Sequence, residues 1–332
     1  MTQPWPAGSA TGLGSLPGTD PAEATRLIFG ELPDLPHLPE LPARGAGADM
    51  IGRAVSLLVD LPVEIVPSGW RLTARAGRDL RVARDFLSRD LDALQEVAGD
   101  YTGALKLQAC GPWTLAAAVE LPTGHRVVSD HGATRELGAS LAEGLSRHLA
   151  EVQARVPGAR LVLQLDEPSL PAVLAGAVKT PSGWGTVRSV QDNVVEQLLG
   201  DVLALAPAGG RLVHCCAPEV PIALLRGAGA DAIALDATLL TGRHTDAIGE
   251  LLEGGGAVLL GVVPSSDDRI TIAAARDRIL RLWNDLAFDD ARLGSAIVPT
   301  PSCGMAGASP GYARKAMEVL REVGHGLLED RS

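Results

Sequence analysis

Short apolar runs recur along the chain, and most are followed by a stretch with helical spacing. Residues 104–110, 160–166, 211–216, 232–236, 257–263 and 296–299 read as strands, because they are near-continuously apolar, as strands of a parallel sheet buried on both faces are. Pro62-Val-Glu-Ile-Val-Pro67 reads as an earlier strand, and the run ending at Ser15 as the first. Helices are predicted at 49–61, 79–97, 135–156, 170–176, 190–206, 219–227, 246–252, 272–286 and 312–328. In the second of these, Leu80, Leu87, Leu91 and Leu94 fall at helical spacing. Eight strands with helices between them predict a single (β/α)8 TIM barrel with an N-terminal extension and loop insertions. The tail is expected to cover 1–10 and the barrel 11–328, with a doubly wound open sheet as the alternative.

Two stretches need separate treatment. Thr11-Gly-Leu-Gly-Ser-Leu-Pro-Gly18 has the look of a loosened dinucleotide fingerprint, but no apolar strand precedes Gly12 and Pro17 interrupts the loop, so a nucleotide site is excluded. Asp20 and Pro21 then supply a cap and a first helical residue. From Glu31 to Ala43 proline recurs every third residue, which suits a polyproline-like segment and predicts a covering loop.

The chain of 332 residues is 46% hydrophobic and 21% charged, enough to bury a full core. Its net charge of −11 argues against nucleic acid and against anionic membrane surfaces as partners. No run nears the roughly 18 apolar residues of a membrane span, and the first residues lack the basic-then-apolar order of a signal peptide. A cytoplasmic protein is expected. Four cysteines in so long a chain make no disulfide framework, and in a reducing compartment they are structural, catalytic or metal-binding.

Chemistry in a (β/α)8 barrel sits where the strands end. On a strand over 212–216, His214 and Cys216 face one way and Cys215 the other. Cys303 lies at the end of the last strand, and Asp236 at the end of the strand after His214. Two thiolates, an imidazole and a carboxylate on one rim make a chemically sensible tetrahedral zinc set. Cys215 and Cys110 read as small buried apolar residues. Asp166 and Glu167 end another strand, where an unpaired carboxylate costs several kcal/mol if buried. Either one of them caps a helix or pairs with an arginine, or one holds a substrate ammonium group. Ser15, in a glycine-flanked turn, is a candidate for a substrate carboxylate.

Leu13-Gly-Ser15, Gly111-Pro112 with Thr114, Gln164-Leu-Asp-Glu-Pro168, His214 with Cys216, Ile233-Ala-Leu-Asp236 and Pro301-Ser-Cys-Gly304 occur in an order and spacing that resemble a known family. They are similar to the motifs of the C-terminal catalytic barrel of cobalamin-independent methionine synthase, from about Thr11 to Val323. The resemblance is to the short core form, without the duplicated N-terminal barrel, in a superfamily shared with uroporphyrinogen decarboxylase. It implies zinc held by His214, Cys216, Asp236 and Cys303, activating the thiol of homocysteine for methylation to methionine. It also implies that Asp166 binds the amine and Ser15 the carboxylate, with Glu64 as the nearest offer of a second amine-binding acid. The methyl donor it implies is 5-methyltetrahydrofolate or a methylcobalamin-bearing protein. The chain departs from the family in carrying Asp236 where Glu is usual, and in lacking a His after the seventh strand. The rival readings are a zinc alkyltransferase for another thiol, of the coenzyme M type, a metal-free decarboxylase of the porphyrin type, and a catalytically impaired zinc-binding paralogue. Trp70, Trp113 and Trp184 fall in predicted loops, where they either pack or offer a flat face to a pterin or corrin.

Overall fold

The computed structural model describes residues 3–329. The chain opens with α1 (Pro21–Glu31) and α2 (Met50–Leu57), then β1 (Val63–Val66), β2 (Gly69–Leu72) and α3 (Arg78–Ala98). Next come β3 (Ala104–Cys110), α4 (Pro112–Ala118), α5 (His131–Arg155), β4 (Arg160–Asp166), α6 (Leu170–Leu174) and α7 (Asp192–Leu203). They are followed by β5 (Arg211–His214), α8 (Ile222–Gly227), β6 (Ala232–Asp236), α9 (Gly242–Glu253) and β7 (Ala257–Val263). The last are α10 (Ile272–Leu286), α11 (Leu293–Ala296), β8 (Ile297–Pro301) and α12 (Pro310–Glu329). Asp20 caps α1 as its side chain predicts, Oδ1 accepting from the N–H groups of Ala22 and Glu23.

Strands β3 to β8 form one parallel sheet in chain order, each crossing over through helix to its neighbour. Two extended segments run along its edges. Leu38 N–H donates to Lys106 O (3.0 Å) and Lys106 N–H to Pro36 O (2.9 Å), so residues 36–40 follow β3. Leu16 N–H donates to Glu40 O (2.9 Å) and Glu40 N–H to Gly14 O (3.1 Å), laying residues 11–16 beside them. At the far edge Thr11 N–H reaches Pro299 O of β8 at 3.3 Å, so the curled sheet and these segments meet.

This corrects two sequence expectations. The run at 62–67 does not join the parallel sheet. It becomes β1 of an antiparallel hairpin with β2, turned through Pro67-Ser68 with Gly69 at φ +127°. The proline-spaced stretch is no surface loop: Leu35, Leu38 and Leu41 are fully buried, and the N–H groups between the prolines make its pairings. Proline removes donors but leaves an extended backbone, which is what an irregular edge segment needs.

The main core lies between sheet and helices. A second cluster fills the sheet's concave side at the strands' N-terminal ends, where Trp5 and Leu13 meet Ala104, Val162, Leu212 and Ala257. Toward the C-terminal ends that interior turns polar, with His37, Glu40, Lys106, Gln108, Gln164 and Asp166 all buried. Gly12 and Gly14 make room for two of these. A Cβ on Gly12 would stand 2.4 Å from the His37 ring, and one on Gly14 would stand 2.8 Å from Gln108 Cγ. The glycines that mimic a nucleotide motif are there for packing.

Candidate metal centre and its surroundings

β5 ends at His214, and its ladder continues one step, Cys215 N–H donating to Ala234 O (3.1 Å). Alternation therefore still holds: Cys215 is buried in the outer core, and Cys216 turns to the side of His214. β8 delivers Cys303 from the opposite edge, where Met305 N–H donates to Ser15 O (2.7 Å) and Gly304 packs on Ser15 so closely that a Cβ would meet it at 2.9 Å. The donor atoms of His214, Cys216 and Cys303 lie within 4.8 Å of one another.

His214 is buried and oriented from behind. Its Nδ1 meets Asp166 Oδ1 at 2.8 Å, while Nε2 is buried with no hydrogen-bond partner among the described residues. A buried polar atom without a partner is rare enough to need a reason. Carboxylate on one ring nitrogen and the other free is how a metal-binding histidine is held. The Cys216 and Cys303 sulfurs stand 3.2 Å apart, well beyond the roughly 2.05 Å of a disulfide bond. Both cysteines are only partly buried, so the sulfurs face the open end of the sheet. The hydrogen bond to Cys303 and burial raise the Cys216 thiol. The contact with Cys216 and the neighbouring His214 ring lower the Cys303 thiol, against the effect of burial. Burial opposes charge on His214, but Asp166 and Cys303 raise it to about 9. Two sulfurs and an imidazole nitrogen this close together are a donor set that fits a zinc ion.

The structure does not bring Asp236 into this group. It is half-exposed at the end of β6, and its Oδ1 accepts from Thr238 N–H (2.8 Å) and Oγ1–H (2.7 Å). Glu64 is exposed on the β1–β2 hairpin and contributes nothing to this rim. A buried carboxylate does lie beside Ser15: Glu40, whose burial the reading of 31–43 as a covering loop missed. It is buried, accepts from Ser15 Oγ (3.0 Å) and Gln108 Nε2 (3.3 Å), and stands 3.7 Å from the Arg53 guanidinium. Arg53 is in turn held by Asp90, which also takes both guanidinium nitrogens of Arg44 at 2.7 and 2.9 Å. Burial raises the Glu40 carboxyl to about 7 despite Arg53.

Of the two readings left open for Asp166 and Glu167, the helix cap belongs to Glu167. Glu167 accepts from Trp113 N–H (2.9 Å), Thr114 N–H (2.7 Å) and Thr114 Oγ1–H (2.7 Å), capping α4. The helix it caps follows the neighbouring strand, not its own. Asp166 commits Oδ1 to Gln164 (2.8 Å) and His214, and Oδ2 takes no hydrogen bond among the described residues. Trp70 and Trp113 are buried, whereas Trp184 is 97% exposed at a loop tip. A signal for the polar interior was present: Lys106 and Gln108 alternate with apolar residues in β3, as Gln164 and Asp166 do in β4.

Residues 8–325 match the family model described as the catalytic domain of cobalamin-independent synthase. No curated protein is significantly similar to the chain. Among solved structures, a B12-independent methionine synthase from Shewanella sp. W3-18-1, in complex with selenomethionine, superposes with a TM-score of 0.63 at 14% identity. That match covers 98% of this chain and 99% of the other, and at this identity it speaks for the fold alone. The carboxyl transferase domain of Rhizobium etli pyruvate carboxylase (TM-score 0.27, 15% identity, 70% of this chain and 44% of that one) is too distant to carry an argument.

Proposed function

From membership of the cobalamin-independent synthase family, to which this chain belongs through its catalytic domain, we propose that it is a zinc-dependent methyltransferase that converts homocysteine to methionine. We take the fold as a (β/α)8 barrel over 11–328, with residues 11–16 and 36–41 as its first two staves. The observation that carries the reading is the buried His214 Nε2, which takes no nitrogen or oxygen partner among the described residues, converging with the Cys216 and Cys303 sulfurs.

Zinc held by these three donors would deprotonate a coordinated substrate thiol at neutral pH, with a fourth position left to that substrate. The chain's own residues do the rest. Asp166 holds the His214 Nδ1–H, keeping Nε2 free. Glu40 and Asp166 Oδ2 offer negative charge to the homocysteine ammonium. When an ammonium engages Glu40, the Ser15 hydroxyl that now donates to it is released toward the substrate carboxylate. Asp236 lies outside the three-donor group, with Oδ1 engaged by Thr238, and would join the metal only through Oδ2 or by giving up Thr238. Alignment of the thiol with an electrophilic methyl group is then a matter of holding both at the rim. The donor is 5-methyltetrahydrofolate or a methylcobalamin protein, and the compartment is the cytoplasm, where thiols stay reduced.

Metal analysis of the purified, reduced protein should give about one zinc per chain. Absence of zinc would sink the reading. Homocysteine at about 100 times its dissociation constant should stabilise the zinc-loaded protein by about 2.7 kcal/mol. A shift with coenzyme M and none with homocysteine would transfer the site to a different thiol. Binding without turnover on either methyl donor would identify an impaired paralogue.

A further inference from the structure

Lys106 sits in the middle of β3, fully buried, and the chemistry above leaves it unused. Lysine is almost never fully buried unless paired. Its Nζ donates to Gln164 Oε1 at 2.6 Å. Gln164 Nε2 donates in turn to Asp166 Oδ1 at 2.8 Å and to Leu13 O at 3.3 Å. Asp166 Oδ1 is the atom that receives His214 Nδ1 at 2.8 Å. An unbroken chain of hydrogen bonds therefore runs from the ammonium to the imidazole through the interior of the sheet.

The chain has a direction imposed by chemistry. An ammonium only donates and an ionised carboxylate only accepts. A glutamine between them satisfies both in one orientation, oxygen toward Lys106 and NH2 toward Asp166. Reversed, it would set donor against donor and acceptor against acceptor between fully buried side chains, where an unpaired polar group is costly. Lys106 thus selects the orientation of the Gln164 amide. The amide then fixes where Asp166 Oδ1 stands, and Oδ1 receives the imidazole.

We propose that Lys106 is a positioning residue for the metal centre: through Gln164 and Asp166 it holds His214 Nδ1–H and aims Nε2 at the Cys216 and Cys303 sulfurs. The consequence for metal affinity rests on the zinc reading given above. The linkage from Lys106 to His214 does not.

Three readouts on Lys106→Met, Gln164→Met and the double variant test it. The first is zinc affinity by competition with a chromophoric chelator. The second is the absorption spectrum of the cobalt(II)-substituted protein. The third is the low-field Nδ1–H proton resonance of His214 in metal-free protein, assigned by its loss in His214→Gln. Each single variant should weaken zinc binding about 10- to 100-fold, as loss of an outer partner of a metal-binding histidine does. The double variant should be no weaker than the worse single one, because both cut the same chain. Sulfur-to-cobalt charge-transfer bands should persist while the d–d envelope changes, and the Nδ1–H resonance should broaden by exchange. Unchanged affinity, spectrum and resonance in both single variants, or losses that multiply in the double, would overturn the proposal. A wild-type protein that takes no zinc, but whose Nδ1–H resonance responds to Lys106→Met, sinks the zinc reading and leaves the positioning role standing. Should Lys106→Met fail to fold, Gln164→Met decides by the same three measurements.

Discussion

Asp166 and Glu167 adjoin in the chain but take partners on opposite sides of their strand's end. Glu167 receives three hydrogen bonds from Trp113 and Thr114, and burial still raises its carboxyl to about 7. The unfolded chain releases this proton near the ordinary glutamate value of 4.5, while the folded chain keeps it to about 7. The native state therefore binds more protons across that window, and the contribution to stability falls as pH rises through it, by about 2–4 kcal/mol. Urea midpoints from pH 4.5 to 7 should fall less steeply in Glu167→Gln than in the wild type. Using the difference removes His148, whose buried ring, lowered to about 3, acts in the opposite direction. Parallel curves would show that Glu167 does not titrate in this window. Cys303→Ser belongs beside it: the variant should lose zinc by metal analysis yet keep its far-UV spectrum and cooperative melting, because the fold rests on the cores and not on the rim. Of these roles, that of Cys216 could be read from strand alternation. The split between Asp166 and Glu167 could not, since it depends on which neighbouring strand each faces.

The segment from Glu31 to Ala43 shows how a local pattern can hide an element. Proline every third residue reads as exposed and extended, and only the extended half of that holds. Its free N–H groups at Leu38 and Glu40 pair with β3 and with residues 11–16, and so Glu40 enters the interior. A pattern with period three carries neither the strand's period of two nor the helix's of 3.6, so amphipathicity arguments do not register it. The same closeness explains the glycines facing it. Gly12→Ala should destabilise by about 1–3 kcal/mol in denaturant titrations, because the added methyl meets the His37 ring and overpacks a filled interior. Restoration of stability in Gly12→Ala with His37→Ala would locate the clash at that ring. No change in Gly12→Ala would mean the two segments are less tightly seated than the distances say.

Across the whole molecule the sheet's interior is graded, apolar at the N-terminal ends and polar and charged beneath the cysteines. Trp5, from the segment expected to be a tail, closes the apolar end, and Gln3 Nε2 donates to Gly255 O there at 3.0 Å. Trp5→Ala should cost about 3–5 kcal/mol by urea unfolding and leave zinc affinity unchanged, since it acts at the end away from the metal donors. A drop in affinity would mean that the two ends are coupled. Among the described residues no helix is long and apolar enough to cross a membrane. What could be read from the residues alone was the alternation of strand and helix, the bounds of β3, β4, β6, β7 and α10, and the convergence of His214, Cys216 and Cys303. These follow from short-range periodicity and from one rule about strand ends. Which carboxylates lie buried near these residues could be seen only in the tertiary structure, for a physical reason. Glu40 meets Ser15 and Gln108, Asp166 meets His214 and Lys106 meets Gln164 across 25 to 68 residues of sequence, and such pairings leave no trace in local spacing.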